Sequence, residues 1–183
     1  MPFADVEKAP LRALLRRTLR NDPVADESIN KHLQATPEFQ LAPSVLFYAA
    51  QDHEPDLAPT VLLAVTLGKK IYFPRVRENG LVAVRITSYP ADLQPGFAGI
   101  GEPRPELSAA DDAIVLACIP GLAFNAQGYR LGRGKGYYDR FLRHFTGRKL
   151  GICYARQLQE IPIEGHDQRV DMLITEESTV RFS

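Results

Sequence analysis

Apolar residues recur at helical spacing near the start of the chain, where Leu11, Leu14, Leu15 and Leu19 share one side of a helix expected over residues 6–20. Lys8, Arg12, Arg16 and Arg20 step by four along another side and form a basic stripe. Asp22-Pro23 reads as an N-cap followed by proline at the first helical position, and it opens a second helix that Thr36-Pro37 ends. Beyond it, short apolar runs alternate with helical patterns. Residues 44–50 read as a buried strand, 56–66 as a helix, 70–73 as a strand and 81–86 as a third strand. Residues 90–105 carry four prolines and three glycines and are expected to form a long loop, which in a compact domain is often functional. An apolar central strand over 113–119 follows, then a glycine-rich loop, a helix over 137–145, and late strands at 150–154 and 172–175. Short apolar strands alternating with helices predict an α/β fold with a largely parallel sheet flanked by helices on both faces. Such a sheet places ligands beyond the carboxyl ends of its strands.

At 183 residues, 45% hydrophobic and 24% charged, residues 1–183 are expected to form a single domain with a substantial core. Twenty-two basic residues balance twenty-two acidic ones. That balance argues against a chain-wide nucleic-acid or membrane-surface role, so anion binding has to come from local clusters. Cys118 and Cys153 lie in apolar strand-like runs and read as small core hydrophobes in a reducing compartment. The N-terminus has no apolar signal core and carries acids early, and no window is long enough to span a bilayer. A cytoplasmic protein, acting as a monomer on small molecules, is the expectation.

The most informative stretch runs from Pro120 to Asp139: Pro-Gly-Leu-Ala-Phe-Asn-Ala-Gln-Gly-Tyr-Arg-Leu-Gly-Arg-Gly-Lys-Gly-Tyr-Tyr-Asp. Gly132, Gly134 and Gly136 enclose Arg133 and Lys135. Glycines let backbone N–H groups converge on an anion, arginine adds a planar fork for phosphate oxygens, and lysine adds a compact mobile charge. Tyr137 and Tyr138 supply flat faces, and Asp139 can hold a cation. A P-loop is excluded, because Tyr129 stands where its first glycine belongs and Gly136 where Ser or Thr belongs. The dinucleotide fingerprint fails because the third glycine comes one residue early.

This run closely resembles the hallmark segment of the 5-formyltetrahydrofolate cyclo-ligases, also called methenyltetrahydrofolate synthetases, with Asn125 where an aspartate is usual. The resemblance implies a three-layer α/β fold and an ATP-dependent closure of a formyl-folate ring, with Mg2+ as the metal and ATP as co-substrate. It places ATP on Lys8 and Arg12 of the first helix and on Arg130, Leu131, Gly132, Arg133, Gly134, Lys135, Gly136, Tyr137 and Tyr138, with Arg133 and Lys135 also catalytic. By the same resemblance Glu54, in Gln-Asp-His-Glu-Pro-Asp, contacts the folate, and Arg133 to Tyr137 face both substrates. Tyr48 is a candidate wall of the pterin pocket, and Asp139 and Asp171 are the expected magnesium pair. Arg75 is a candidate for the anionic folate tail, or else a solvated strand-end arginine.

Gly99-Ile100-Gly101-Glu102-Pro103 resembles a family segment preceded by a stacking aromatic. Here Ala98 fills that place and Phe97 comes one residue earlier, so either the loop presents Phe97 or stacking is weaker. A capping role is expected for Asn125, whose carbonyl oxygen can serve turn N–H groups as an aspartate would. A non-catalytic folate- or nucleotide-binding homologue of the same fold is the alternative reading.

Overall fold

A computed structural model describes residues 4–78, 80–110 and 113–182. Residues 1–3, part of the stretch read for targeting signals, lie outside the described residues. The chain begins with α1 (Ala4–Thr18), α2 (Pro23–Ala35) and the short α3 (Pro37–Leu41), followed by β1 (Ser44–Leu46) and α4 (Ala58–Thr66). An antiparallel pair, β2 (Lys70–Arg77) and β3 (Gly80–Ile86), leads to the small hairpin β4 (Leu93–Pro95) and β5 (Gly101–Pro103). Then come β6 (Leu116–Pro120), the short hairpin β7 (Ala123–Phe124) and β8 (Arg130–Leu131), and α5 (Tyr137–His144). Strands β9 (Arg148–Ile152), β10 (Met172–Ile174) and β11 (Thr179–Arg181) complete the chain.

Seven strands form the main sheet in the order β11-β10-β9-β6-β1-β2-β3. The strands from β10 through β2 are parallel to their neighbours, and β11 and β3 close the two edges antiparallel. The expected α/β architecture with a largely parallel sheet is therefore the one observed. Period-two alternation divides the strand side chains between two faces. Val45, Phe47, Leu116 and Cys118 join one cluster with Ile29 and Leu33 of α2 and Val61 of α4, while Leu46, Ala117 and Ile119 join another with Leu142 of α5 and Phe124 of β7. Cys118 and Cys153 are buried, unpaired and in different clusters, as core residues should be. Burial drives both thiols far above the ordinary range.

Several local expectations needed correction. Residues 90–105 are not a plain loop but carry the β4–β5 hairpin, with a 3-10 turn at Phe97–Gly99 between its strands. Their prolines fall at hairpin ends, where a missing N–H costs little. The strand expected over 44–50 is ladder-paired only from Ser44 to Leu46, after which the chain peels away beyond its carboxyl end to form part of the site. Leu14, assigned to the apolar side of α1, is exposed, and Leu15 and Leu19 make the contact instead. They pack on Leu122, Ala123, Leu131 and Ile161, which brings the basic stripe of α1 against the glycine-rich loop.

The β7–β8 hairpin has no strong strand signal, and Asn125 supplies its order. The buried Asn125 Oδ1 accepts from the backbone N–H of Gln127 (3.1 Å) and of Tyr129 (2.9 Å), which is the capping role expected for it. The hairpin in turn carries Arg130 towards the site. Replacing Asn125 by alanine leaves two N–H groups without their acceptor, a loss of about 1–3 kcal/mol. Denaturant melts of Asn125→Ala should show that loss, while Asn125→Asp, which keeps the acceptor, should remain at least half as stable as the parent; equal stability of all three would refute the capping role.

Candidate active site

One cleft of about 290 Å³ lies beyond the carboxyl ends of β1 and β6, where a sheet of this type exposes strand ends to ligands. Its walls come from Tyr48, Ala49, Gln51 and Glu54, from Pro74, Val76 and Leu81 of β2 and β3, from the β4–β5 turn and the start of β5, from Pro120 to Leu122, and from the segment between Arg130 and Asp139. Of the residues expected to bind, it gathers Tyr48, Glu54, Arg130, Gly132, Arg133, Lys135, Gly136, Tyr137, Tyr138 and Asp139. It adds Arg16, which was legible only as one step of the basic stripe.

The glycine-rich loop holds its shape through both backbone and partners. Gly134 (φ 98°) and Gly136 (φ 63°) occupy the left-handed region, so a side chain at either position is strained. Gly136 is also the residue from which α5 starts. From α1, Arg12 Nε donates to Gly132 O (3.0 Å) and Arg16 Nη2 donates to Arg133 O (2.7 Å). Lys135 is exposed on the cleft wall, and among the described residues it makes no hydrogen bond or ion pair.

Lys8 departs from expectation. Its ammonium is buried, 2.8 Å from Asp167 Oδ2 and 3.2 Å from Glu164 Oε2, and it does not line the cleft. A buried lysine persists as a cation only when such partners offset its lost hydration. Lys8 and Arg12 therefore do not form the expected polyphosphate clamp here: Lys8 ties α1 to the 164–167 turn, and Arg12 braces the loop. Arg75 is neither solvated nor turned to the cleft. It is buried and donates to the carbonyls of Pro103, Arg104 and Leu107, clasping the strand that follows the 97–102 turn.

The expected magnesium pair is not assembled as one site either. Asp139 lines the cleft with Oδ1 on Arg130 Nη2 (3.0 Å). Asp171 lies outside the cleft wall, where its Oδ2 accepts from the Lys149 N–H (2.7 Å). A carboxylate one residue ahead of a strand has the neighbouring strand's N–H within reach, and this one takes it. Arg130 itself is buried and stacks over Tyr138, its guanidinium carbon 5.2 Å from the ring centroid.

The opposite wall is apolar and aromatic. Tyr48 is buried and donates its hydroxyl to Pro55 O (2.8 Å). Ala98 adopts φ 55°, ψ 27°, a left-handed turn that is uncommon outside glycine. Phe97 lies immediately before it, lines the cleft and meets Tyr137 edge-on with ring centroids 6.2 Å apart. The loop thus presents Phe97 to the cleft.

Of the three acids in residues 52–56, Glu54 reaches the cleft; Asp52 is exposed, and Asp56 Oδ1 caps the Ala58 N–H. Burial raises the Glu54 carboxyl above its ordinary range, opposed by Arg133, whose Nη2 lies 3.6 Å from Oε1, and by the Gln51 N–H on Oε2 (3.1 Å). His53, to which the sequence assigned nothing, sits with Nε2 2.8 Å from the same Arg133 Nη2. Burial first, then the charges of Arg133 and Arg16, hold its imidazole down from 6.5 to about 4.

An imidazole that resists protonation in the folded chain but accepts it when unfolded withdraws stability as pH falls from 6.5 towards 4. Glu54, raised by burial, acts in the opposite sense, so the two partly cancel in the native protein. Comparison with His53→Gln isolates the histidine. Unfolding free energies measured across that window should move in favour of the glutamine variant as pH is lowered, and a pH-independent difference would show that the imidazole is not held neutral.

Residues 5–176 match the family described as the 5-formyltetrahydrofolate cyclo-ligase family. Similar proteins include the mitochondrial 5-formyltetrahydrofolate cyclo-ligase of Arabidopsis thaliana, 29% identical over 95% of this chain and 76% of that protein. The probable 5-formyltetrahydrofolate cyclo-ligase of Schizosaccharomyces pombe is 28% identical over 96% and 98%. The solved structure of Aquifex aeolicus 5,10-methenyltetrahydrofolate synthetase superposes with a TM-score of 0.82 at 33% identity, covering 95% of this chain and 92% of that one. A glycine-rich loop braced at the mouth of an aromatic cleft, on a sheet of this topology and with this extent of similarity, identifies the chain as a member of the 5-formyltetrahydrofolate cyclo-ligase family.

Proposed function

We propose that the cleft is where this chain carries out the family reaction, closing 5-formyltetrahydrofolate to 5,10-methenyltetrahydrofolate with conversion of ATP to ADP and phosphate. The observation that carries the reading is one cleft with an aromatic wall on one side, cations on the other, and a buried carboxylate between them. Tyr48, Phe97 and Tyr137 offer flat apolar contact to a pterin ring, and Glu54 offers an acceptor for its N–H groups. Gly132 to Gly136 receive the phosphates, with Arg133 and Lys135 neutralising their charge. Arg12 and Arg16 keep the loop in place through its carbonyls, and Leu131, buried beneath, anchors it to α1. Lys8 and Arg130 act here through the structure they hold rather than by direct contact with ATP.

In this reading the formyl oxygen attacks the γ-phosphorus and ADP leaves. The bridging nitrogen adds to the activated carbon, loses its proton, and phosphate departs as the second C–N bond of the ring is completed. The chain needs no nucleophilic side chain for these steps; its work is to position two substrates and to neutralise charge. A magnesium ion, where bound, would screen the phosphates. Magnesium takes one or two carboxylates plus substrate oxygens, and Asp139, with one oxygen on Arg130 and a second available, fits as a single protein ligand. We assign Asp171 to the backbone it caps.

The non-catalytic alternative rested on Asn125 and Ala98. Asn125 performs its capping with the oxygen it has, and Phe97 fills the wall beside Ala98. The catalytic reading is therefore the better supported.

Absorbance of the methenyl product should rise only when formyl-folate and ATP are both present. Lys135→Ala should lower kcat by roughly a hundredfold, because a preorganised charge on the transferring phosphoryl group is worth ~3 kcal/mol. A kcat within a few-fold of the parent would leave Lys135 a solvated loop residue. Asp139→Asn should raise the magnesium concentration for half-maximal rate, whereas Asp171→Asn should lower thermal stability with little effect on that titration. The reverse pattern would return the metal to Asp171.

A further inference from the structure

His53 lies beside the cleft without lining it, and among the described residues its ring bonds to the same guanidinium nitrogen that faces Glu54. A guanidinium only donates. The 2.8 Å approach of Arg133 Nη2 therefore requires that His53 Nε2 be an acceptor, with the ring proton on Nδ1. Glu54 Oε1 is 3.6 Å from that nitrogen, close enough for attraction but too far for a hydrogen bond. Nη2 carries two hydrogens, and the position in which His53 holds it keeps Glu54 Oε1 beyond hydrogen-bond reach.

We propose that His53 is a positioning residue: its Nε2 takes the Arg133 Nη2 donor, sets the direction of that side chain across the cleft, and leaves Glu54 Oε1 open to a donor group of the substrate. The inference rests on the assignment of Glu54 to the folate. It assigns His53 no contact with either substrate. Without it, Arg133 would close on the carboxylate, because a charge-assisted bond to Glu54 is stronger than any contact with a hydrophobic side chain in that place. Glu54 would then be satisfied within the protein and would bind substrate less well. The low proton affinity of the imidazole agrees with this arrangement, since a protonated ring could not accept from Arg133.

Two measurements separate this inference from the reaction on which it rests. In the ligand-free native protein, nitrogen-15 NMR of the His53 ring at neutral pH should show the Nδ1–H tautomer, with Nε2 unprotonated. An Nε2–H tautomer or an imidazolium would overturn the proposal whether or not the protein closes formyl-folate. Kinetics supply the second arm. His53→Leu should raise KM for formyl-folate roughly tenfold, as loss of one charge-assisted substrate contact implies, while kcat and KM for ATP, which Arg133 also serves, change by no more than about threefold. His53→Gln, whose side-chain oxygen can occupy the acceptor position, should restore KM to within about threefold of the parent. In an Arg133→Lys background, His53→Leu should add little, because the donor being positioned is gone. Equal KM values for the leucine variant and the parent, or failure of glutamine to restore it, would overturn the proposal; should the leucine variant not fold, the tautomer and the glutamine variant decide it.

Discussion

A segment with three glycines in five residues is the part of the chain with most freedom to lose, and the site exists because two arginines of α1 remove that freedom. Arg12 and Arg16 hold the carbonyls of Gly132 and Arg133, and the apolar side of the same helix rests on Leu122 and Leu131, which flank the loop. Helix, hairpin and loop are therefore one unit. The helix spacing that puts Arg12 and Arg16 one turn apart matches consecutive carbonyls of the loop. Gly134 and Gly136 then allow the backbone torsions that this bracing imposes.

Charge is distributed by burial. The chain has no net charge, yet the cleft wall carries Arg16, Arg130, Arg133 and Lys135 against Glu54, Glu102 and Asp139. Lys8 is matched by Glu164 and Asp167, Arg130 by Asp139, and Arg75 by three loop carbonyls. Each of these pairings offsets the cost of desolvating a charge and fixes a loop in doing so. Lys135 stays exposed on the cleft wall, a compact charge on a flexible stem. Arg133 is intermediate: it reaches from the glycine-rich loop across to Glu54 and His53.

Two departures from the family pattern turn out to be accommodated by local geometry. Asparagine does at position 125 what an acidic acceptor would do for the hairpin, at the cost of one buried amide nitrogen without a partner. Ala98 accepts a left-handed conformation, and the aromatic one residue earlier occupies the cleft wall.

The alternation of apolar runs with helical patterns was enough to foresee the α/β sheet, because buried parallel strands and their covering helices each impose a period on the sequence. The glycine-rich run was legible for the same kind of reason: its residue types are required by local backbone torsion and by anion chemistry. What the sequence could not determine was which of several similar side chains faces the cleft. Lys8, Arg12 and Arg16 differ only in their step along one helix, yet one is buried in ion pairs, one braces a carbonyl and one reaches the cleft wall. Asp139 and Asp171 carry the same side chain, but only one lies in the cleft, and the other is taken by a strand N–H. His53 carried no signal, since its partner is a guanidinium eighty positions away in the chain. Local propensity is written within a few residues, whereas these assignments depend on partners brought together by the sheet, so only the tertiary structure could decide them.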